Sequence, residues 1–251
     1  MRGVAAFRRG IHRLLAPIIY RDGVAVVPPK VGPVWGERQF LRRLLKGLKV
    51  DCVFDVGANE GQYASELRLI GYRGTIVSFE PSPRSFERLS EVSEKDPDWH
   101  VFDFALGSEA GEAEFNRMKE SVYDSLRQPT TEETRHHADY NQVVERVTIR
   151  VERLDTLFPG LKRRFGFTRP YLKTDTQGFD LEVFRGAQSI HSEFAGLQCE
   201  LALKRLYKGA PLMTDVLPEY ERAGFVLTGL FAVNPHEPEV DECNLFFERR
   251  I

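Results

Sequence analysis

The run Val53-Phe54-Asp55-Val56-Gly57-Ala58-Asn59-Glu60-Gly61 ends an apolar stretch in a carboxylate and two glycines. An apolar strand breaking into such a turn, with Gly61 opening a helix, lets backbone amides and a helix N-terminus approach an anionic ligand group. Two classes of adenosine cofactor use that geometry. A dinucleotide site calls for GxGxxG around its pyrophosphate, whereas this chain has Asn59 at the second glycine position and Gly61 one residue early. Asp55 at the strand end would repel a pyrophosphate but could pair with an ammonium group. S-adenosylmethionine carries an ammonium, a carboxylate and no phosphate, so these residues favour it as the ligand.

Glu80, in Phe79-Glu80-Pro81, follows Gly57 by 23 positions. An acid there can accept hydrogen bonds from both ribose hydroxyls, as in NAD enzymes, and so points to adenosine in general. Phe104 and Ala105, at the end of a third strand, are placed to hold an adenine ring by apolar contact and a backbone amide. Lys173 and Asp175 alternate onto one face of a strand, at the carboxyl edge where such sheets bind ligands. Glu200 lies in Gln198-Cys199-Glu200-Leu201, where burial would make it a better base. Asp175 is therefore expected to accept or orient an acceptor proton, with Glu200 second. The plainer readings are a turn cap for Asp175, a snorkelling Lys173 and a backbone-bonded Glu200. His136, His137 and Asp139 read as a chance cluster in a polar loop, and no metal is expected. Asp155 reads as a helix N-cap.

The elements that position these residues alternate. Strands are predicted at Cys52–Val56, Thr75–Phe79, His100–Ala105, Tyr171–Thr174, Gly196–Leu203, Phe225–Phe231 and Asn244–Glu248. Helices are predicted at Gln62–Ile70, Ser85–Ser93, from about Asp180, and at Leu212–Ala223. This pattern predicts an α/β fold with a mostly parallel sheet, an antiparallel edge and helices on both faces. Ala113–Asn116 and Val147–Val151 form a possible further strand pair, with a polar stretch from Arg117 to Val144 between them as a surface loop or a lid.

Taken together, FDVGANEGQ (54–62), VSFEPSP (77–83), ALGSEAGEAEF (105–115), RLDTL (153–157) and LKTDTQGFDLEVFRGA (172–187) resemble the FkbM-type methyltransferases over most of residues 50–248. The resemblance implies a Rossmann-like class I fold, S-adenosylmethionine as donor, and O-methylation, often of sugars in glycolipids, polysaccharides or secondary metabolites. It adds Gln62 and Ser82 to the donor site. Ser125, Lys173 and Gln177 become candidate acceptor contacts. Many relatives have Glu at the positions of Gln177 and Asp180; the first difference removes a carboxylate and argues against a metal there.

Residues 2–20 place Val4, Phe7, Ile11, Leu14, Leu15 and Ile18 opposite Arg8, Arg9, His12 and Arg13, a basic amphipathic helix. It reads first as packing on the domain or a second subunit, and second as lying on an anionic membrane surface. A Gly- and Pro-containing linker and a helix Glu37–Leu48 follow. Residues 1–49 thus read as an N-terminal extension and 50–251 as the methyltransferase domain. The 35 basic and 37 acidic residues give no reason to expect nucleic acid, and a small-molecule or glycan acceptor is expected. Three distant cysteines and the lack of a membrane-length apolar run suit the cytoplasm, with peripheral membrane contact through residues 2–20 as an option. The rival readings are an NAD(P)-dependent oxidoreductase and a non-catalytic binding module of a glycan pathway.

Overall fold

A computed structural model describes residues 19–21, 24–26, 31–130, 132–134, 137–237 and 239–250. The helix expected over residues 2–20 lies, up to residue 18, outside the described residues. Ile19 and Tyr20 do not continue it: they belong to β1 (Ile19–Arg21), paired antiparallel with β2 (Val24–Val26). Helix α1 (Gly32–Gly47) begins earlier than expected, because Pro33 suits the first helical turn.

The alternation then runs as read. It comprises β3 (Cys52–Val56), α2 (Gln62–Leu69), β4 (Thr75–Phe79), α3 (Pro83–Ser93) and β5 (Trp99–Phe102). After β6 (Ala105–Leu106), β7 (Gly111–Met118) and β8 (Val143–Glu152) come α4 (Leu154–Phe165), β9 (Pro170–Thr174) and α5 (Asp180–Arg185). The chain finishes with β10 (Gly196–Ala202), α6 (Met213–Arg222), β11 (Phe225–Ala232) and β12 (Glu242–Arg249). The main sheet has seven strands in the order β11-β12-β10-β9-β3-β4-β5, and β12 runs antiparallel to both of its neighbours. This is a class I methyltransferase sheet with its antiparallel strand near one edge. The strand order reverses between β3 and β9, leaving a crevice at their carboxyl ends.

Strand alternation feeds two cores. Cys52, Phe54 and Val56 face α4, α5 and α6, where the Phe54 ring meets Phe158, Phe167 and Phe194 at 5.3–5.9 Å. Val53 faces the opposite layer, α1, α2 and α3, with Leu41, Leu44, Leu67 and Leu89. Helix α1 is therefore built into the same core as the sheet.

β6, β8 and β7 form a separate three-stranded sheet. The polar stretch after β7 is folded against it and the main body: Met118 and Tyr123 are buried with Leu206, Tyr207 and Ala210. One local reading is corrected here. Asp155 is inside the first turn of α4, and the N-cap is Arg153, whose guanidinium Nε and Nη2 meet the Asp155 carboxylate at 3.1 and 2.7 Å. A short side chain at Asp155 is thus used to hold the arginine rather than the helix amides. Among the described residues no helix is long and apolar enough to cross a membrane.

Candidate active site

Past Val56 the backbone turns at Gly57 with φ 76°. A Cβ there would lie 2.0 Å from the Asp175 carbonyl oxygen, so the position admits only glycine. The N–H groups of Gly57 and Ala58 both donate to Phe79 O, and Asn59, at φ 49°, donates its N–H to Glu80 Oε2 at 2.7 Å. Gly61, at φ 87°, is held against the Trp99 ring, and Gln62 opens α2 with an exposed side chain. The second Glu80 oxygen accepts the Ser82 N–H at 2.8 Å. Each oxygen keeps a further lone pair for a ligand. Burial pushes the Glu80 carboxyl up to about 7, while the two amides and Lys173 hold it down.

The loop lines a cavity of about 800 Å³. That is near the top of the range for small-molecule sites, with room for a donor and an acceptor. Its apolar wall beyond Glu80 is Ala105, Leu106, Phe115 and Leu126. Phe104, expected at this wall, points instead into the core, its ring 5.6 Å from both Phe79 and Phe102. Ala105, one residue on, takes the opposite side and reaches the cavity. Ser82 is at the wall, and its hydroxyl donates to Asp124 Oδ2 at 3.3 Å. Burial raises the Asp124 carboxyl to about 6.

The donor set suits S-adenosylmethionine: an acid beside a left-handed turn for ribose, an apolar slot for adenine, and the start of α2 for the amino-acid carboxylate. Asp55 requires a correction. Its carboxylate is fully buried and already paired: Lys173 Nζ lies 2.8 Å from Oδ1, and the Ser78 hydroxyl donates to Oδ2 at 3.2 Å. The ammonium that Asp55 meets is therefore the chain's own. Lys173, expected at the acceptor, also donates to Gly57 O at 3.2 Å and lies 5.0 Å from the Tyr63 ring. Burial alone would lower this ammonium's pKa, but Asp55, Asp175 and Glu200 raise it above the ordinary lysine value.

At the other end of the cavity, β9 and β10 bring the two expected acids together. Gln177, in a left-handed turn at φ 53°, donates its amide Nε2 to Asp175 Oδ1 at 2.8 Å and to Glu200 Oε1 at 3.1 Å. The amide oxygen accepts from Tyr207 Oη at 2.9 Å. Ser125 is behind this turn, not at the cavity: it is 1% exposed, donates to Gln177 O at 2.8 Å and accepts the Arg127 N–H. Its contact with any ligand passes through Gln177.

Sequence reasoning missed Glu37, Tyr63, Gln198 and Asn244, which share this wall. Gln198 carried a signal, since it alternates with Glu200 along β10; the others did not. His137 is an internal residue, with its ring nitrogens 3.0 Å from Tyr123 Oη and 3.3 Å from Asp241 Oδ2, while His136 lies outside the described residues. Among the described residues no group of three or more His, Cys, Asp or Glu is placed to hold a metal.

Two curated proteins resemble parts of the chain. The hexuronic acid methyltransferase AglP of Haloferax volcanii is 33% identical over 82 residues, 32% of this chain and 33% of that protein. The 1-phosphatidylinositol 3-phosphate 5-kinase FAB1 of Saccharomyces cerevisiae is 33% identical over 93 residues, 36% of this chain and 4% of that protein. The chain thus spans a third or less of these relatives. Among solved structures, magnesium protoporphyrin IX methyltransferase from Synechocystis PCC 6803 overlays with a TM-score of 0.45 at 11% identity, over 91% of this chain and 87% of that one. The model of the methyltransferase FkbM domain matches residues 55–227, from the donor loop to β11, and the rival oxidoreductase reading falls away. The chain belongs to the FkbM methyltransferase family, and its methyl donor is S-adenosylmethionine.

Proposed function

We propose that the protein transfers a methyl group from S-adenosylmethionine to a hydroxyl of a sugar, in a glycolipid, polysaccharide or secondary metabolite. The observation that carries this is the convergence of Asp175 and Glu200 on one amide, that of Gln177, in the wall of the cavity that also holds the donor loop. The sulfonium of the donor supplies an already activated methyl group. What the protein must add is alignment and a place for the hydroxyl proton. Asp175 accepts that proton as the acceptor oxygen forms its bond to carbon and the carbon–sulfur bond breaks, leaving S-adenosylhomocysteine. Glu200 and Gln177 orient the hydroxyl, each amide hydrogen holding one carboxylate in place.

Support for a sugar comes from the hydrogen-bonding groups at this end, Gln198, Glu200 and Asn244 among them, and from the likeness to a hexuronic acid methyltransferase. A balanced charge supports a small acceptor over nucleic acid. Three buried free cysteines accord with a cytoplasmic setting, and residues 2–20 are the candidate for membrane or self-association. We take residues 50–251 as the methyltransferase domain, with 1–49 an extension of it.

The test is incubation with the donor and a panel of glucose, glucuronate, galacturonate and RNA, followed by mass spectrometry. The expected product is a sugar heavier by one CH2 that survives mild alkali, as an ether does. An alkali-labile methyl ester on the uronate, or transfer to RNA alone, overturns the reading.

A further inference from the structure

The wall of the cavity that carries Glu200 and Asn244 includes an element outside the segment matched to the family, residues 55–227. Helix α1 is anchored there by Leu41, Leu44 and Leu45 and by Phe40, whose ring meets Phe231 at 5.5 Å and Phe246 at 5.2 Å. Arg38 fixes its rotation through an ion pair with Glu66 at 2.9 Å. The helix face so held presents Val34, Glu37 and Leu41 to the cavity. Glu37 hydrogen-bonds Asn244, and Asn244 stands directly opposite Glu200 in the β10–β12 ladder.

We propose that α1 forms the acceptor-selecting wall and that Glu37 is its specificity-determining residue, contacting the hydroxyls of the acceptor ring next to the one that is methylated. This rests on the hydroxyl-transfer reading. The chemistry suits a polyol. Burial and the charges of Glu66 and Glu200 push the Glu37 carboxyl up to about 8, so at neutral pH it both donates and accepts. Beside Glu200, Gln198 and Asn244 it offers donors and acceptors in alternation, which adjacent hydroxyls can match and a bare alkyl or aryl alcohol cannot. An acceptor lacking those hydroxyls forgoes these hydrogen bonds and binds correspondingly more weakly.

The experiment compares the wild type with Glu37→Leu, Glu37→Gln and Glu37→Asp. Glucuronate and glucose are titrated in turnover with S-adenosylmethionine, and by calorimetry with S-adenosylhomocysteine bound. Glu37→Leu should raise the sugar KM and Kd roughly ten-fold, the loss of about one hydrogen bond, with kcat changed much less and S-adenosylhomocysteine affinity unchanged. Glu37→Gln, which still donates and accepts, should recover most of the loss. Glu37→Asp, drawn back by one methylene, should lose several-fold and replaces the leucine variant if that one does not fold. Equal sugar KM and Kd in wild type and variants, or a loss confined to S-adenosylhomocysteine affinity, overturns the role of Glu37. Sugar binding by the wild type without transfer counts against the hydroxyl-transfer reading instead, and the Kd comparison still decides the role of Glu37.

Discussion

Replacing Lys173 with methionine removes the cation from a pair whose side chains are 6% and 0% exposed and whose nearest atoms are 2.8 Å apart. What remains for the Asp55 carboxylate is one hydroxyl bond from Ser78. Methionine keeps most of the lysine stem's packing, so the cavity contribution is small. Stranding one partner of a buried ion pair costs about 3–5 kcal/mol. For a chain of this size that corresponds to a fall in Tm of roughly 6–20 °C, at about 2–4 °C per kcal/mol. The double variant Asp55→Asn with Lys173→Met removes both charges and should regain more than half of the loss. Thermal melts and urea midpoints of the four proteins give the coupling energy by a double-mutant cycle. A single variant within about 1 kcal/mol of wild type would refute this account. So would a double variant no more stable than Lys173→Met. If Lys173→Met melted like the wild type but lost turnover, the lysine would be acting on a ligand, as its place in the sequence suggests.

Four further outcomes follow from the same geometry. Asp175→Asn should lower kcat by about 10²–10⁴-fold, the range for a general base, with S-adenosylhomocysteine affinity unchanged; wild-type turnover would remove it from the mechanism. Gly57→Ala drives a methyl group onto the Asp175 carbonyl oxygen, 2.0 Å away, and should abolish calorimetric binding of S-adenosylhomocysteine or prevent folding; a variant that binds normally would contradict the packing. Glu37 holds its proton up to about 8 in the native state but loses it near the ordinary glutamate value when unfolded, so its contribution to stability is present at acid pH and lost as pH rises toward 8. Glu37→Gln does not titrate, so its unfolding free energy relative to wild type, read from urea midpoints, should become more favourable from pH 5 to pH 8 by on the order of a few kcal/mol; a pH-independent difference would refute the assignment. Turnover should survive EDTA, and loss restored by magnesium would reveal a metal that the Asp175–Gln177–Glu200 group was not expected to hold.

The donor loop was legible because everything that shapes it is local: an apolar strand, a glycine with no room for a Cβ, and the start of a helix. The meeting of Asp175 and Glu200 was partly legible, because alternation along a strand fixes the face of Asp175 and an acid among apolar neighbours marks Glu200. Phe104 was misplaced by one residue because alternation loses its phase where β5 ends and the chain bends before β6. Asp55 was assigned to a ligand because sequence shows that a buried charge needs a partner without showing which one is near, and Ser125 because the resemblance gives a position and not its surroundings; here the partners are Lys173 and the Gln177 backbone. Glu37 and Asn244 had no signal at all. Their meeting depends on how α1 lies across β12, which is set by Phe40 and Phe246, residues that also suit many other packings.

The backbone around Gly57 bears on how steadily two reactants can be held. Asp175 donates its N–H to Val56 O, Lys173 donates to Gly57 O, and β3 and β9 run side by side in register from Cys52 to Val56. The turn at Gly57 and the end of β9 at Asp175 are thus joined directly by hydrogen bonds. A substitution that shifts either strand is therefore expected to move the donor loop and Asp175 together.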